Sequence, residues 1–349
     1  MEYTVIINFG GKKMKKNARF FSILVSICLL SSCFFLGCTK EGNEGLKDVR
    51  LNEVVHSIFY APQYVALEKG FFEEEGLNII LDVGQGADKS MTTLLSNSAD
   101  IALLGIEAGF YVYNEGSENY AKPFAQLTQR AGNFLISREN EPNFKWENLK
   151  GKSVIGGRIG GMPELVLEYV LKENGLIPGV DVEIINNISF ASTSSAFASD
   201  IGDYTVEFEP VATTLEKEGY GYIVKSLGDA SGYIPYTVYM AKNDYIENNP
   251  EIIQKFTNAI YKGQKWVDEH SSAEIAKVCL PYFEESNIET LTKIIDRYKS
   301  QDTWPSTPLI NLEGFELIQD IMEKGGELEK RVPFHGFIVE DYAKKAISN

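Results

Sequence analysis

From Leu51 onward, short apolar runs of strand type alternate with stretches whose apolar positions recur three and four residues apart. Leu51–Val55 predicts a first strand. A helix follows, with Pro62 near its start, Tyr64-Val65-Ala66-Leu67 inside it and Gly70 as its stop. Ile79–Val83 predicts a second strand and Asp88–Asn97 a second helix. Ile101-Ala102-Leu103-Leu104 is a continuous apolar run, the pattern of a strand buried on both faces. This β-α-β-α-β order predicts a parallel sheet with right-handed crossovers.

A second series starts at Ser153-Val154-Ile155, with a helix over Pro163–Asn174 and a strand over Val182–Ile185. Ala196–Ser199, Val206 and Tyr222–Val224 continue it more weakly, and Thr237–Met240 reads as a returning strand. The rest is helical: Pro250–His270, Ser272–Leu280, Ile288–Lys299, Leu312–Lys324 and Val339–Ile347. The 349 residues exceed what one core usually serves. The expectation is therefore an α/β protein of two lobes with a ligand cleft between them. The first lobe is expected over 49–128 and 236–349, the second over 129–235, with crossovers near 125–135 and 232–238.

The amino-terminal residues follow a different logic. Lys12, Lys13, Lys15, Lys16 and Arg19 precede the apolar run Phe20–Phe35, which is short for a membrane span. The run ends in Leu36-Gly37-Cys38, which resembles a bacterial lipobox, with Cys38 as the lipidated residue. An ordinary signal peptide is the alternative. Residues 1–37 read as the signal and 38–48 as a flexible tether, and Met14-Lys15-Lys16 makes a more usual signal start than Met1. Loss of the five basic residues and one glutamate in 1–37 takes the formal net charge from −16 to −20. Only Cys279 would then remain beside Cys38, so no disulfide is expected within the chain. The expected place is the outer face of a cell membrane, tied to the membrane by lipid and not crossing it.

Composition narrows the function. Apolar residues at 44% and charged residues at 23% suit a globular protein, and the negative charge argues against nucleic acid. Three histidines and four cysteines with no CxxC or HxxxH pair make a metal site improbable, and no cofactor is expected. No G-x-S-x-G, Walker motif or full G-x-G-x-x-G after a strand is present, so no catalytic residue is assigned. Ser57 lies beside His56, but adjacent residues rarely orient as nucleophile and base.

Open α/β sheets bind ligands at the carboxyl ends of their strands. Four groups of candidates sit there. His56, Tyr60 and Gln63 follow the first strand, with core packing as the alternative for the aromatics. Gly86 lies in Gly84-Gln85-Gly86-Ala87-Asp88, and Gly105 and Glu107 follow the third strand, where Glu107 serves either as a helix-start acid or as a ligand acceptor. Arg158, Gly160 and Gly161 lie in the glycine-dense segment Gly156–Glu164, a backbone donor loop across the cleft from His56. Ser192, Thr193, Asp203, Glu209 and Tyr236 complete the set, with helix capping as the plain role for the hydroxyls and acids. Tyr233 and Trp266 are further rings, Trp266 reading as packing.

The segment His56-Ser57-Ile58-Phe59-Tyr60-Ala61-Pro62-Gln63-Tyr64 through Gly70-Phe71-Phe72-Glu73-Glu74-Glu75-Gly76-Leu77 resembles the start of periplasmic substrate-binding proteins of ABC importers. The branch is the NMT1-like one, for nitrate, sulfonates, taurine and thiamine-precursor pyrimidines. Ser98-Ala99-Asp100-Ile101-Ala102 and Glu209-Pro210 with Leu215 match its spacing. The resemblance implies a type II fold whose cleft closes on a solute, and delivery to a membrane permease with its ATPase. It implies that the Gly156–Glu164 loop and the residues before Glu209-Pro210 lie near the cleft. The Gly-Gly-Met-Pro-Glu form is closer to the pyrimidine branches. A pyrimidine-synthase cousin shares the fold but carries a cysteine-rich motif absent here. The expected solute is a heterocycle such as a thiamine-precursor pyrimidine, bound by a monomer. Sulfonate, taurine or nitrate is the runner-up, and a ligand-sensing lipoprotein is a further alternative.

Overall fold

The computed structural model describes residues 45–348. The signal segment, Cys38 and the tether as far as residue 44 lie outside the described residues. Among the described residues, ten strands form two five-stranded sheets. β1 (Lys47–Glu53), the turn Ile58–Tyr60, α1 (Ala61–Glu68), α2 (Phe71–Glu74), β2 (Leu77–Val83), α3 (Ala87–Leu95), β3 (Ile101–Gly105), α4 (Ile106–Asn114) and β4 (Ala121–Thr128) open the chain. The second sheet is built from β5 (Asn133–Ser137), β6 (Ser153–Ile155), α5 (Met162–Glu173), β7 (Glu183–Ile185), α6 (Thr193–Ala198), β8 (Tyr204–Phe208), α7 (Val211–Lys217), β9 (Tyr222–Ser226) and α8 (Leu227–Ser231). The chain then returns through β10 (Thr237–Lys242) and α9 (Asn243–Asn248).

The first sheet has the order β2-β1-β3-β10-β4 and the second β7-β6-β8-β5-β9. β1 pairs in parallel with β2 and β3, while β10 is antiparallel to β3 and β4. β6 likewise pairs in parallel with β7 and β8, and β5 is antiparallel to β8 and β9. This is the two-lobed α/β architecture that the alternating pattern predicts.

Pro62 stands in the first turn of α1, and Gly70 turns the chain after it at φ 72°, a left-handed conformation that glycine adopts at little cost. The stretch 125–135, expected as a crossover, is mostly strand, and only 129–132 joins β4 to β5. Both strands are buried over nearly their whole length, so their apolar runs lack the alternation that marks a one-sided strand. The segment 196–199, expected to continue the strand pattern, belongs to the end of α6 and its cap.

α10 (Pro250–Glu269), α11 (Ser272–Cys279), α12 (Ile288–Ser300), α13 (Leu312–Gly325) and α14 (Asp341–Ser348) complete the chain. Ser271 and Glu274 form a reciprocal capping box at the start of α11. α10 packs on α1, but α13 reaches α5 beneath the second sheet, where the Lys172 ammonium donates to the Lys324 carbonyl at 3.0 Å. The carboxyl-terminal helices therefore touch both lobes. Cys279 is a free, buried thiol, and burial pushes its pKa up. Among the described residues no helix is long and apolar enough to cross a membrane, and no group of three metal-ligating side chains is present.

Candidate functional site

The carboxyl ends of the strands face a cavity of about 300 Å³. From the first lobe come Val54 and Val55 after β1, Gln85 to Lys89 around the start of α3, and Gly105 and Glu107 at the start of α4. From the second come Arg158, Gly161, Met162 and Pro163 around the start of α5, Asn186 to Phe190 after β7, and Phe208 at the end of β8. Tyr60, Tyr236 and Thr237 close the floor. Three helix amino-termini, those of α3, α4 and α5, therefore meet at one cavity.

Glu107 is the buried acid there. It is 1% exposed, and neither carboxylate oxygen has a hydrogen-bond partner. Burial raises its pKa to about 7, against the pull of nearby main-chain groups of Glu107, Met162 and Ala108 and of the Arg158 charge. A Cβ on Gly105 would stand 2.0 Å from a carboxylate oxygen of Glu107 and 2.7 Å from Cγ of Met162. Glycine is required here because the acid folds back over the backbone while a side chain of the second lobe closes on it. Gly86 has φ 143°, which a residue with a Cβ adopts only with strain.

Tyr236 lies beside this acid. Its hydroxyl is buried and unpartnered, and burial, followed by the charge of Glu107, raises its phenol well above the ordinary value. It stays protonated and presents a donor. Leaving such groups buried without partners costs about 1–3 kcal/mol each, so they mark positions that a bound molecule would satisfy. Arg158 and Asp88 face each other across the lobes at 3.7 Å, both about half exposed. An exposed pair of this kind contributes little by itself.

A second cavity of about 240 Å³ adjoins the first and shares Val55, Gln85, Phe190 and Phe208 with it. His56, Thr193, Glu207 and Glu209 line it. His56 Nδ1 is 3.0 Å from Glu53 Oε1 and Nε2 is 2.7 Å from the Tyr282 carbonyl. Nε2 donates to the carbonyl, and Nδ1 is shared between Glu53 and the Tyr64 hydroxyl, 3.0 Å away. The bond to Glu53 raises the pKa of the ring.

Of the residues proposed from sequence, Tyr60, Gly86, Gly105, Glu107, Arg158, Gly161 and Tyr236 line the first cavity, and His56, Thr193 and Glu209 the second. Four are placed elsewhere. Gln63 is a core residue, donating to Glu53 at 2.7 Å and accepting from the Tyr239 hydroxyl at 2.9 Å. Gly160 faces Tyr111, whose hydroxyl donates to its carbonyl at 2.9 Å. The Ser192 hydroxyl is paired with Ser189 at 2.8 Å on the surface. Asp203 sits at the opposite end of β8, accepting from the amide and hydroxyl of Ser153 at 2.9 Å.

Glu209 lines the second cavity, but its carboxyl is already engaged. Its carboxylate accepts from the amide and hydroxyl of Thr213 at 2.9 Å and meets the Arg297 guanidinium. It ties the second lobe to α12. Ser57 adds a second tie, its hydroxyl donating to the Glu209 carbonyl at 2.5 Å. Trp266 packs, as expected, on His270 at 3.8 Å between ring centroids, and Tyr233 stacks under Arg130.

Sequence reasoning missed Asn186 and Asn187, which line the cavity after a strand of three residues. An amide pair directly after a β run was the available signal. Phe190 and Phe208 stand close in sequence to the candidates Ser192 and Glu209, but nothing local marks which ring turns inward.

Fold and cavity together define a two-lobed binding-protein architecture, with the ligand position between lobes at the strand ends. The chain belongs to the NMT1/THI5-like family, whose model matches residues 58–273. It is 45% identical over 328 residues to YtlA of Bacillus subtilis strain 168, designated a candidate binding protein, covering 94% of this chain and 97% of that one. The fold is similar to that of the alkanesulfonate-binding protein SsuA from Xanthomonas axonopodis pv. citri, at TM-score 0.68 and 15% identity, over 83% of this chain and 97% of that chain. The nitrate-binding protein NrtA from Synechocystis PCC 6803 matches at TM-score 0.67 and 18% identity, over 87% and 89%. The desulfurization enzyme DSZB matches at 0.60 and 15%, over 86% and 99%. At these identities the structures establish the fold alone.

Proposed function

We propose that this chain is the solute-binding component of an ABC importer, held at the extracytoplasmic face of the cell membrane by lipid on Cys38. Its solute is a small flat heterocycle presenting N–H donors, of the thiamine-precursor pyrimidine kind. One observation carries this reading: the buried, unpartnered carboxyl of Glu107 lies where three helix amino-termini converge. Such a convergence favours an anion, and here the protein supplies the anion itself. A free sulfonate or nitrate would meet a second negative charge in the same cavity. An aminopyrimidine finds the complement it needs, because a carboxyl near its pKa presents an acceptor oxygen to an amino group and shares a proton with a ring nitrogen.

Binding without chemistry fits the remaining groups. Ser57 is tied to the Glu209 carbonyl, His56 is tied at both nitrogens, and Cys279 is buried away from the cavity. Contacts from both lobes to one solute would stabilise the closed arrangement offered to a permease.

The runner-up, a sulfonate, taurine or nitrate binder, is favoured by Arg158 and Lys89 on the cavity wall and by the same helix termini. Isothermal titration of the purified protein with 4-amino-5-hydroxymethyl-2-methylpyrimidine, an alkanesulfonate, taurine and nitrate decides between them. Binding of the pyrimidine, weakened at least tenfold in Glu107→Ala, is the expected result. Binding of the anions with no pyrimidine response overturns it. A sensing lipoprotein would bind the same solute. Solute-dependent stimulation of a partner permease–ATPase separates importer from sensor.

A further inference from the structure

The cleft does not end at the first cavity. Phe190 and Phe208, with ring centroids 6.0 Å apart, line both cavities and form an apolar waist between them. Beyond the waist, the charged groups differ in how they are engaged. His56 is held by Glu53 and Tyr282, and Glu209 by Thr213 and Arg297. Glu207 is 6% exposed, and its partners among the described residues are hydroxyls: Thr205 donates to it at 2.9 Å, and Thr193 lies beside it. No basic side chain among the described residues pairs with it. The second cavity thus repeats the character of the first, with an apolar wall around a buried carboxyl that lacks a cation.

We propose that the solute is two-ended, with a donor-bearing ring at Glu107 and Tyr236 and a second donor, such as an amine on a short apolar chain, that passes the Phe190–Phe208 waist to reach Glu207. This rests on the ring position given under Proposed function and extends it. Burial raises the Glu207 pKa to about 7, which a cationic or N–H partner would reverse. A single ring leaves the second cavity empty, and at about 300 Å³ the first cavity is at the lower bound for small-molecule sites.

The test compares two probes by titration calorimetry: 4-amino-2-methylpyrimidine, and the same ring carrying a 3-aminopropyl group at carbon 5. The aminopropyl probe is expected to bind about tenfold or more tightly than the ring alone, as a charge-assisted hydrogen bond allows. This gain is expected to vanish in Glu207→Gln. Ser194→Leu, which narrows the second cavity without touching the acid, should remove it too, and guards against a Glu207→Gln variant that fails to fold. Ring binding with no gain from the amine overturns the two-ended solute and leaves the ring position standing. So does a gain that survives both substitutions. If neither probe binds, the ring position falls and this inference with it.

Discussion

β10 in the first sheet and β5 in the second occupy the same fourth position, antiparallel to both neighbours, and each is delivered by chain arriving from the other lobe. The two lobes share this topology but differ in what their strand ends present. The first lobe offers glycine turns, the half-exposed Asp88 and one buried acid, Glu107, whose oxygens are unpartnered. The second offers an arginine, an amide pair and two phenylalanines, and its own cleft-edge acid, Glu209, is already engaged by Arg297 from α12. A shared fold therefore says where a ligand sits. The partners left to each polar group say what kind of ligand it is.

The largest expected effect breaks the tie between lobes. Arg297→Leu leaves Glu209, 0% exposed in its side chain, without its counter-charge. Loss of about 3 kcal/mol in urea unfolding is expected, and a loss under about 1 kcal/mol would mean that the lobes are not latched there.

Glu107→Gln tests the other acid, with the opposite sign. Its folded pKa of about 7 lies above the ordinary 4.5, so the protonated form favours folding and stability declines as pH rises between these values. Unfolding of the ligand-free variant should show it more stable than the parent by about 3 kcal/mol at pH 8 and by under about 1 kcal/mol at pH 5. An equal difference at both pH values would deny the buried carboxyl.

Tyr236→Phe removes a hydroxyl that has no partner. The ligand-free protein should therefore be stabilised by about 1–3 kcal/mol, while pyrimidine affinity falls about tenfold. A large loss of stability would instead mean that the hydroxyl is engaged within the protein. The smallest effect is that of Asp88→Asn, which unpairs the half-exposed Arg158 and should cost under about 1 kcal/mol in thermal unfolding.

Much of the fold was legible from sequence because its signals are local. Pro62 and Gly70 bracket α1, the apolar run 101–104 is β3, and the helical periods after 250 match α10 to α13 within a residue or two. β4 and β5 escaped because strands buried on both faces lose their alternation. The glycine turns at Gly86, Gly105 and Gly161 were legible as cavity wall for the same local reason. Gln63 and Asp203 were not, because side-chain direction and sheet end depend on neighbours brought from elsewhere.

By itself, the sequence determined most of the strands and helices, the two-lobed α/β class, the family and the strand ends that form a cleft. Periodicity, turn residues and a contiguous motif are enough for those. The tertiary structure alone decided that Glu107 is free and Glu209 is not. The two acids are chemically the same, and each stands at the carboxyl end of a strand. Glu209 meets a guanidinium 88 positions along the chain, whereas Glu107 is sealed where three helix termini meet, with no hydrogen-bonding side chain to meet it. The strength of an acid and its readiness to take a ligand are set by burial and by long-range partners, and neither is written in the residues beside it.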